Sequence, residues 1–169
     1  DDLVADEPDD PGSASTFTYD PPAVGEFDRG WLMPGQNEWL PPLEDRATFT
    51  SEPLAADVVL AGSGSRFRRQ VVPGDTLDLE VTLSEIRPDG QEQLIQSGWL
   101  RASHRALDPA LTTTLRPRHP HTATELLEPG QVVPVRVELF PVAHVLRAGS
   151  RIRLTVDGPL RLTRRLPDW

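Results

Sequence analysis

The sequence has no cysteine among its 169 residues. A chain without cysteine forms neither a disulfide nor a thiolate metal site, and this absence favours a reducing compartment, with the cytoplasm as the expectation. No apolar run approaches the roughly 18 residues that a membrane-spanning helix needs. We therefore expect no membrane insertion, and a core that is stabilised by packing rather than by cross-links.

Basic residues are few compared with acidic ones. Lysine and arginine total 17 and aspartate and glutamate total 26, and the resulting net charge of −9 argues against nucleic-acid binding. Residues 1–15 hold many of the acids and little that could be buried, so we predict a disordered acidic linker or tail there. The sequence begins at Asp1 rather than at methionine, so we expect a processed chain or a piece of a longer protein.

Residues 76–105 carry the strongest structural pattern. Leu79 and Val81 belong to an apolar set that alternates with polar residues, which is the period of a strand with one buried face. Residues 87–90 (Arg-Pro-Asp-Gly) are a turn sequence, because proline presets one backbone angle and glycine accepts a positive φ. A long β-hairpin is predicted, with its second strand reaching Arg105.

The rest of the chain predicts further short strands separated by turns. One strand alternates from Val133 to Leu139, and a short helical turn is possible near residues 123–127. With about seven or eight strands and no long helical period, we predict an all-β fold, a jelly-roll-like antiparallel β-sandwich with long loops over residues 16–157. Residues 158–169 lose the alternation and are predicted to be a tail.

Ser103, His104 and Asp108 are residue types of a catalytic triad. Neighbours on a strand point to opposite faces, so on the predicted second strand Ser103 and His104 could not share a hydrogen bond. We therefore interpret them as an exposed or interface polar pair. Residues 62–65 (Gly-Ser-Gly-Ser) lack the glycine spacing and the following helix of a nucleophile elbow, and we interpret them as a turn.

Two histidines, His119 and His121, lie close together in a proline-rich loop and could ligate a metal ion. The nearest following acid is Glu125, and zinc sites usually show tighter ligand sets. Solvated loop histidines are therefore the preferred interpretation, and no metal or cofactor is predicted.

Arginines concentrate toward the C-terminal end, where a phosphate or nucleic-acid site is one interpretation. The preferred alternative is a solvated sheet face, or ion pairs with acids such as Glu138 or Glu80 on a neighbouring strand. The arginines are Arg147, Arg151, Arg153, Arg161, Arg164 and Arg165.

The tryptophans Trp31, Trp39 and Trp99 admit two interpretations. Exposed together they would form a sugar-stacking platform, whereas buried they would belong to a core or a domain interface. Residues 16–45 contain the first two in a long irregular stretch, which is unusual inside a compact domain. Such a loop makes sense if a neighbouring domain supplies part of its packing surface.

Residues 97–105 (Ser-Gly-Trp-Leu-Arg-Ala-Ser-His-Arg), with residues 84–90 (Ser-Glu-Ile-Arg-Pro-Asp-Gly), resemble a known family. It is the C-terminal β-sandwich domain of X-Pro dipeptidyl-peptidases and CocE/NonD-type acyl esterases, a group that includes cocaine esterase. The resemblance covers roughly residues 19–157. Further matching segments are residues 49–54, 128–130, 137–141 and 143–154.

The resemblance implies the function of a supporting domain. Members are serine hydrolases whose triad lies on a preceding α/β-hydrolase domain, so no catalytic residue is carried over to this chain. The partner would be that catalytic domain, in the same chain or in a separate one, and a homo-oligomer is a further possibility. Gly149-Ser150-Arg151 departs from the Gly-His-Arg of many relatives. The candidate interdomain contacts are Trp31, Trp39, Trp99, Arg101, His104 and Arg105.

Two other functions stay open on the sequence alone. One is a free-standing carbohydrate- or ligand-binding β-sandwich, which would expose Trp31 and Trp39 on a concave face. The other is a stand-alone interaction module that has lost its catalytic half. The substrate, and the choice between peptidase and esterase, are not encoded in these residues.

Overall fold

Residues 46–64, 67–70 and 76–158 are described by the computed structural model of the chain. They form eight β-strands in the order of the chain. The strands are β1 (Ala47–Thr50), β2 (Val58–Gly62), β3 (Phe67–Gln70), β4 (Asp78–Ile86), β5 (Glu92–Arg101), β6 (Val132–Val135), β7 (Val142–Leu146) and β8 (Arg151–Asp157).

All strand pairs are antiparallel. The main sheet has four strands in the order β1-β8-β4-β5, and β2–β7 and β3–β6 form two separate pairs. The prediction of an all-β antiparallel fold is confirmed. In the part of the chain that the structure describes, no helix is long and apolar enough to span a membrane.

The predicted hairpin is the pair β4–β5, and its turn forms as expected. The amide of Gly90 donates to the Arg87 carbonyl at 2.8 Å, and Gly90 has a φ of +85°, which glycine adopts without strain. The register shifts between Leu83 and Ser84, where β5 carries an extra residue.

The alternation of β4 buries its apolar face in the core. Leu79 and Val81 are 1% exposed, and Val156 of β8, which pairs with Val81, is fully buried. Burying each such side chain contributes about 1.5–3 kcal/mol. Residues of β6 and of the segment after it belong to the same cluster, so this core joins the main sheet to a second layer. That second set comprises Val133, Val135 and Val137.

The predicted strand over residues 133–139 is too long, since β6 ends at Val135. The segment that follows crosses β5 at Gly98, where a Cβ atom would lie 1.9 Å from the Glu138 carbonyl oxygen. Val137 remains fully buried although it has left the strand. The valines at every second position therefore remain buried in the core after strand pairing has ended, which is why the sequence pattern extends beyond β6.

Two other local predictions are wrong. The strand β5 ends at Arg101, and Ala102–His104 form a 3₁₀ turn rather than the last residues of the hairpin. Residues 123–127 are not helical. The Glu125 amide donates to the Ser103 carbonyl at 2.7 Å. This long-range hydrogen bond uses the amide that would otherwise donate within a helical turn.

We predict that Gly98→Ala lowers the free energy of unfolding by about 3 kcal/mol, because its methyl group would collide with backbone that cannot move aside. Gly64→Ala is the matched control, since its Cβ would meet Leu115 at an ordinary 3.5 Å, and we expect a change within about 0.5 kcal/mol. Urea unfolding measures both values. Equal stability of the two variants would contradict the close crossing at Gly98.

Candidate functional site

The end of β5 and the 3₁₀ turn after it form an exposed surface. Side chains of β5 alternate here, so Trp99 points outward and is 55% exposed, whereas Leu100 points into the core and is 4% exposed. Arg101 is exposed like Trp99, and His104 follows in the turn. The structure thus brings together three of the six predicted contact residues. Trp31 and Trp39 lie outside the described residues.

A shallow cavity of about 300 Å³ opens at this surface. We call it the Trp99 cavity, and it is lined by Asp78, Leu79, Trp99, Leu100, Arg101, His104 and His121. Aromatic, cationic and imidazole groups face one open space, which is the composition of a contact surface rather than of a closed catalytic pocket.

Arg101 is held by its cross-strand partner Asp78. The Arg101 Nε atom lies 2.7 Å from one carboxylate oxygen of Asp78, and Nη2 lies 3.0 Å from the other. The hydrogen bond and charge of Asp78 raise the pKa of Arg101. Because both groups are partly exposed, this bidentate pair fixes the direction of the guanidinium more than it stabilises the fold.

Trp99 lies beside an acid, its cross-strand partner Glu80. Burial raises the pKa of Glu80, although the neighbouring Trp99 indole and the charge of Arg46 act in the opposite direction. The Trp99 ring itself remains exposed.

His104 lies beside a histidine that the sequence interpretation did not connect with it. Its Nδ1 atom is 3.4 Å from His121 Nδ1, and its Nε2 atom is 3.4 Å from Thr124 Oγ1. His121 has a φ of +52°, an uncommon left-handed conformation for a residue with a side chain. No periodic signal could have linked the two histidines, since they lie 17 positions apart with an irregular loop between them.

The residues of the suspected triad do not assemble. Ser103 is 1% exposed and its hydroxyl accepts a hydrogen bond from Thr76 at 2.9 Å. The Asp108 carboxylate accepts from the amides of Ala110 and Leu111, while His104 faces His121. The premise that Ser103 and His104 lie on a strand was wrong, since both belong to the 3₁₀ turn.

Arg105, also a predicted contact residue, turns away from the open surface. Its side chain is 15% exposed, and its guanidinium contacts Glu125 through both the backbone carbonyl at 2.7 Å and the carboxylate at 3.0 Å. It also donates to the Ala102 carbonyl at 3.3 Å. Arg105 therefore connects the 3₁₀ turn after β5 to the loop at Glu125.

The interpretation of His119 as a solvated loop residue is wrong. Its Nδ1 atom lies 3.0 Å from the Ala106 carbonyl oxygen and its Nε2 atom lies 2.8 Å from that of Arg136. The half-buried ring thus ties the loop to the segment that crosses β5. Within the described residues, no group of three or more histidine, aspartate or glutamate side chains is arranged to hold a metal ion.

The C-terminal arginines make ion pairs, although not with the predicted partners Glu138 and Glu80. Arg153 binds Glu92 at 2.7 Å and Arg147 binds Asp57 at 2.6 Å, while Arg151 lies 3.9 Å from Glu52. Glu138 instead lies 3.6 Å from Arg116. The last three arginines of the set, Arg161, Arg164 and Arg165, lie outside the described residues.

On the core side of β4, the alternating apolar set ends in a buried acid, Glu85. Its side chain is 4% exposed, and it contacts His144 Nε2 of β7 at 2.9 Å and accepts from the Ser150 hydroxyl at 2.7 Å. Burial opposes its ionisation, but the hydrogen bonds and the attraction of His144 outweigh it and lower the pKa of Glu85. This carboxylate links the main sheet to the β2–β7 pair.

A second buried acid, Asp157, lies at the end of β8. Burial raises the pKa of Asp157 to about 6, and Glu80 alongside adds to this effect, although Arg46 forms an ion pair with it. One of its oxygens has no hydrogen-bond partner. The attraction of Arg46 is therefore too small to offset the loss of solvation.

These elements define an antiparallel β-sandwich domain with an open, exposed surface at the end of β5. A family model described as the X-Pro dipeptidyl-peptidase C-terminal non-catalytic domain matches residues 5–161. The chain therefore belongs to this family, and the resemblance seen in the sequence is confirmed.

Comparison with solved structures shows the same fold inside longer hydrolases. A CocE/NonD family hydrolase from Staphylococcus aureus matches with a TM-score of 0.64 at 24% identity, over 68% of this chain and 23% of its own. An aminopeptidase from a marine sediment archaeon, Thaumarchaeota archaeon, matches with a TM-score of 0.55 at 22% identity, over 70% and 19%.

An α-amino acid ester hydrolase matches with a TM-score of 0.54 at 20% identity, over 68% of this chain and 19% of its own. The chain thus spans about a fifth to a quarter of the length of these structures. At such identities the likeness shows a shared fold. No curated protein sequence matches the chain.

We predict that Glu85→Ala lowers the free energy of unfolding by about 2–3 kcal/mol, because it leaves the buried Ser150 hydroxyl and the partly buried His144 without their partner. Glu52→Ala is the matched control, since Glu52 is 87% exposed and its ion pair is long, and we expect less than about 1 kcal/mol. Urea unfolding measures both. An equal effect would show that Glu85 does not link the layers.

We also predict that Asp157 makes the protein less stable as the pH rises. Its folded pKa of about 6 exceeds the unfolded value of 3.8, so the native state binds the proton more tightly. The stability it contributes is fully present below about pH 4 and is lost as the pH rises through 6. The difference of about two pKa units corresponds to at most about 3 kcal/mol. Asp157→Asn should remove this dependence and be no less stable at pH 7.5.

Asp57→Asn serves as a control of opposite sign. The Ala148 amide and the Arg147 side chain lower the pKa of Asp57, so its carboxylate stabilises the native state above about pH 4. Unfolding free energies between pH 3.5 and 7.5 distinguish the two variants. A pH profile of Asp157→Asn that matches the wild type would rule out a raised pKa at this position.

Proposed function

We propose that this chain is the non-catalytic domain of a serine hydrolase of the X-Pro dipeptidyl-peptidase or acyl esterase type. In this proposal it packs on an α/β-hydrolase catalytic domain, in the same chain or a separate one, and shapes the entrance to the active-site cleft. The family match over residues 5–161 carries the proposal. The longer hydrolases that contain this fold support it.

The Trp99 cavity has the properties expected of the contact. Tryptophan and arginine are the residue types that most often dominate the energy of protein interfaces. Arg101 is held by its bidentate pair with Asp78, so its side chain loses little conformational freedom when a partner covers it. We assign Trp99, Arg101 and His104 to the contact, and Arg105 to its support.

The outer face of the β2–β7 pair offers additional apolar area. Val59 and Val145 face each other across this pair and are 69% and 45% exposed. Ala61 and Ala143 form the next exposed pair on the same face. Exposed apolar strips of this kind often mark contact sites. This strip lies on the β2–β7 layer, which packs on the core side of β4, whereas Trp99 points outward from the main sheet, so we assign the strip to a second, separate contact.

Fluorophosphonate labelling tests the proposal. We expect the isolated 169-residue chain to remain unlabelled, because the reactive serine lies outside it. The complete gene product, or a hydrolase that copurifies with it, should be labelled on a serine within a Gly-x-Ser-x-Gly sequence. Label on a serine of this chain, or none on either protein, would contradict the proposal.

The exposed ring of Trp99 also suits a second function, carbohydrate binding, since an exposed indole beside polar groups can stack on a sugar. Trp99→Ala distinguishes the two. In the complete hydrolase it should lower the temperature at which this domain unfolds, and Phe140→Ala, which removes another exposed aromatic ring (48%), should not. Glycan binding by the isolated chain that is lost in Trp99→Ala would favour the second function.

A further inference from the structure

The two histidines in the Trp99 cavity have a spacing that suits a metal ion. His104 Nδ1 and His121 Nδ1 are 3.4 Å apart, with ring centroids separated by 5.5 Å. Two nitrogen ligands of a tetrahedral zinc ion, each about 2.0–2.1 Å from the metal, lie about 3.4 Å from one another. We propose that His104 and His121 form a binding site for a transition-metal ion of the zinc class.

The surroundings of His104 prepare it for this role. Its Nε2 atom is within 3.4 Å of Thr124 Oγ1, so Nε2–H can donate to the hydroxyl and leave the Nδ1 lone pair directed at His121. Histidine ligands commonly use their second nitrogen in this way, and the bond fixes both the tautomer and the orientation of the ring.

The backbone of His121 supports the same assignment. Its φ of +52° is the only positive value at a residue other than glycine among the described residues. Strained backbone at an exposed loop position persists where the surrounding structure holds it, and it is concentrated at functional sites. Here the conformation accompanies the placement of the imidazole against His104.

The groups around the two histidines leave space for a metal ion and repel its positive charge only weakly. The guanidinium of Arg101 is neutralised by its bidentate pair with Asp78. His119 lies 6.0 Å from His121 between ring centroids, but both its nitrogens already contact backbone carbonyl oxygens. Within the described residues the site therefore has two protein ligands, and water completes the coordination in the open cavity.

The rival explanation is a hydrogen bond between the two imidazoles, in which one Nδ1–H donates to the other ring. A metal ion would take the place of that shared hydrogen, and His121 would then carry its proton on Nε2. Only the metal site predicts selectivity among ions. Imidazole ligands favour Zn²⁺ and Cu²⁺, with Cu²⁺ the tighter, whereas Mg²⁺ and Ca²⁺ prefer oxygen ligands.

Calorimetric titration of the 169-residue chain with Zn²⁺ tests the site, and it does not depend on the proposed hydrolase partner. We expect one ion per chain, tighter binding of Cu²⁺, and no displacement by millimolar Mg²⁺. His104→Gln and His121→Asn should each weaken Zn²⁺ binding by at least about tenfold. Asparagine is chosen at position 121 because it tolerates the left-handed backbone.

Two further variants separate this site from general binding to acidic groups. Thr124→Val, which removes only the hydroxyl beside His104, should weaken Zn²⁺ binding by about tenfold. Glu52→Gln, at a remote exposed acid, should leave it unchanged. Circular dichroism confirms that each variant is folded. Absence of Zn²⁺ binding by the wild type, or equal binding by the histidine variants, would overturn the proposal.

Discussion

The buried carboxylate of Glu85 is the interaction on which the arrangement of the layers depends. A carboxylate removed from water costs several kcal/mol unless hydrogen-bond donors surround it. Its two hydrogen-bond partners are His144 on β7 and Ser150 just before β8. Because the His144 ring has to reach Glu85 on β4, this contact determines where the β2–β7 pair lies relative to the main sheet. Apolar packing alone would allow the second layer to shift, because it has no directional preference.

The close crossing at Gly98 supplies the second constraint. The backbone of Glu138 passes over β5 at a position that leaves no space for a side chain, and it brings Val137 into the core. His119 then ties the long loop to the Arg136 carbonyl of the same segment. The segments around the Trp99 cavity are therefore held by contacts with several other parts of the chain. Such support keeps a binding surface in a single conformation.

Parts of this architecture could be predicted from local pattern. The hairpin β4–β5, its Pro-Asp-Gly turn and the burial of Leu79 and Val81 follow from alternation and turn chemistry, which depend on near neighbours. The end of β6 could not be predicted, because the alternation of buried valines continues to Val137 although strand pairing stops at Val135. The end of β5 could not be predicted either, because the 3₁₀ turn that buries both Ala102 and Ser103 has no periodic signal. The ion pairs of Arg153 and Arg147 were expected in kind, but their partners depend on strand order, which periodicity does not encode.

The sequence by itself determined the fold class and the family, because both rest on patterns within short stretches such as residues 84–90 and 97–105. It also determined the β4–β5 hairpin and the burial of Leu79 and Val81. Only the tertiary structure decided which of the predicted contact residues lie together on the surface, that the Arg105 side chain binds Glu125, and that His121 lies against His104. The physical reason is that these contacts join residues that are far apart in the sequence, in a loop without any hydrophobic periodicity. Only the packing of the whole domain brings such residues within a few ångströms of each other.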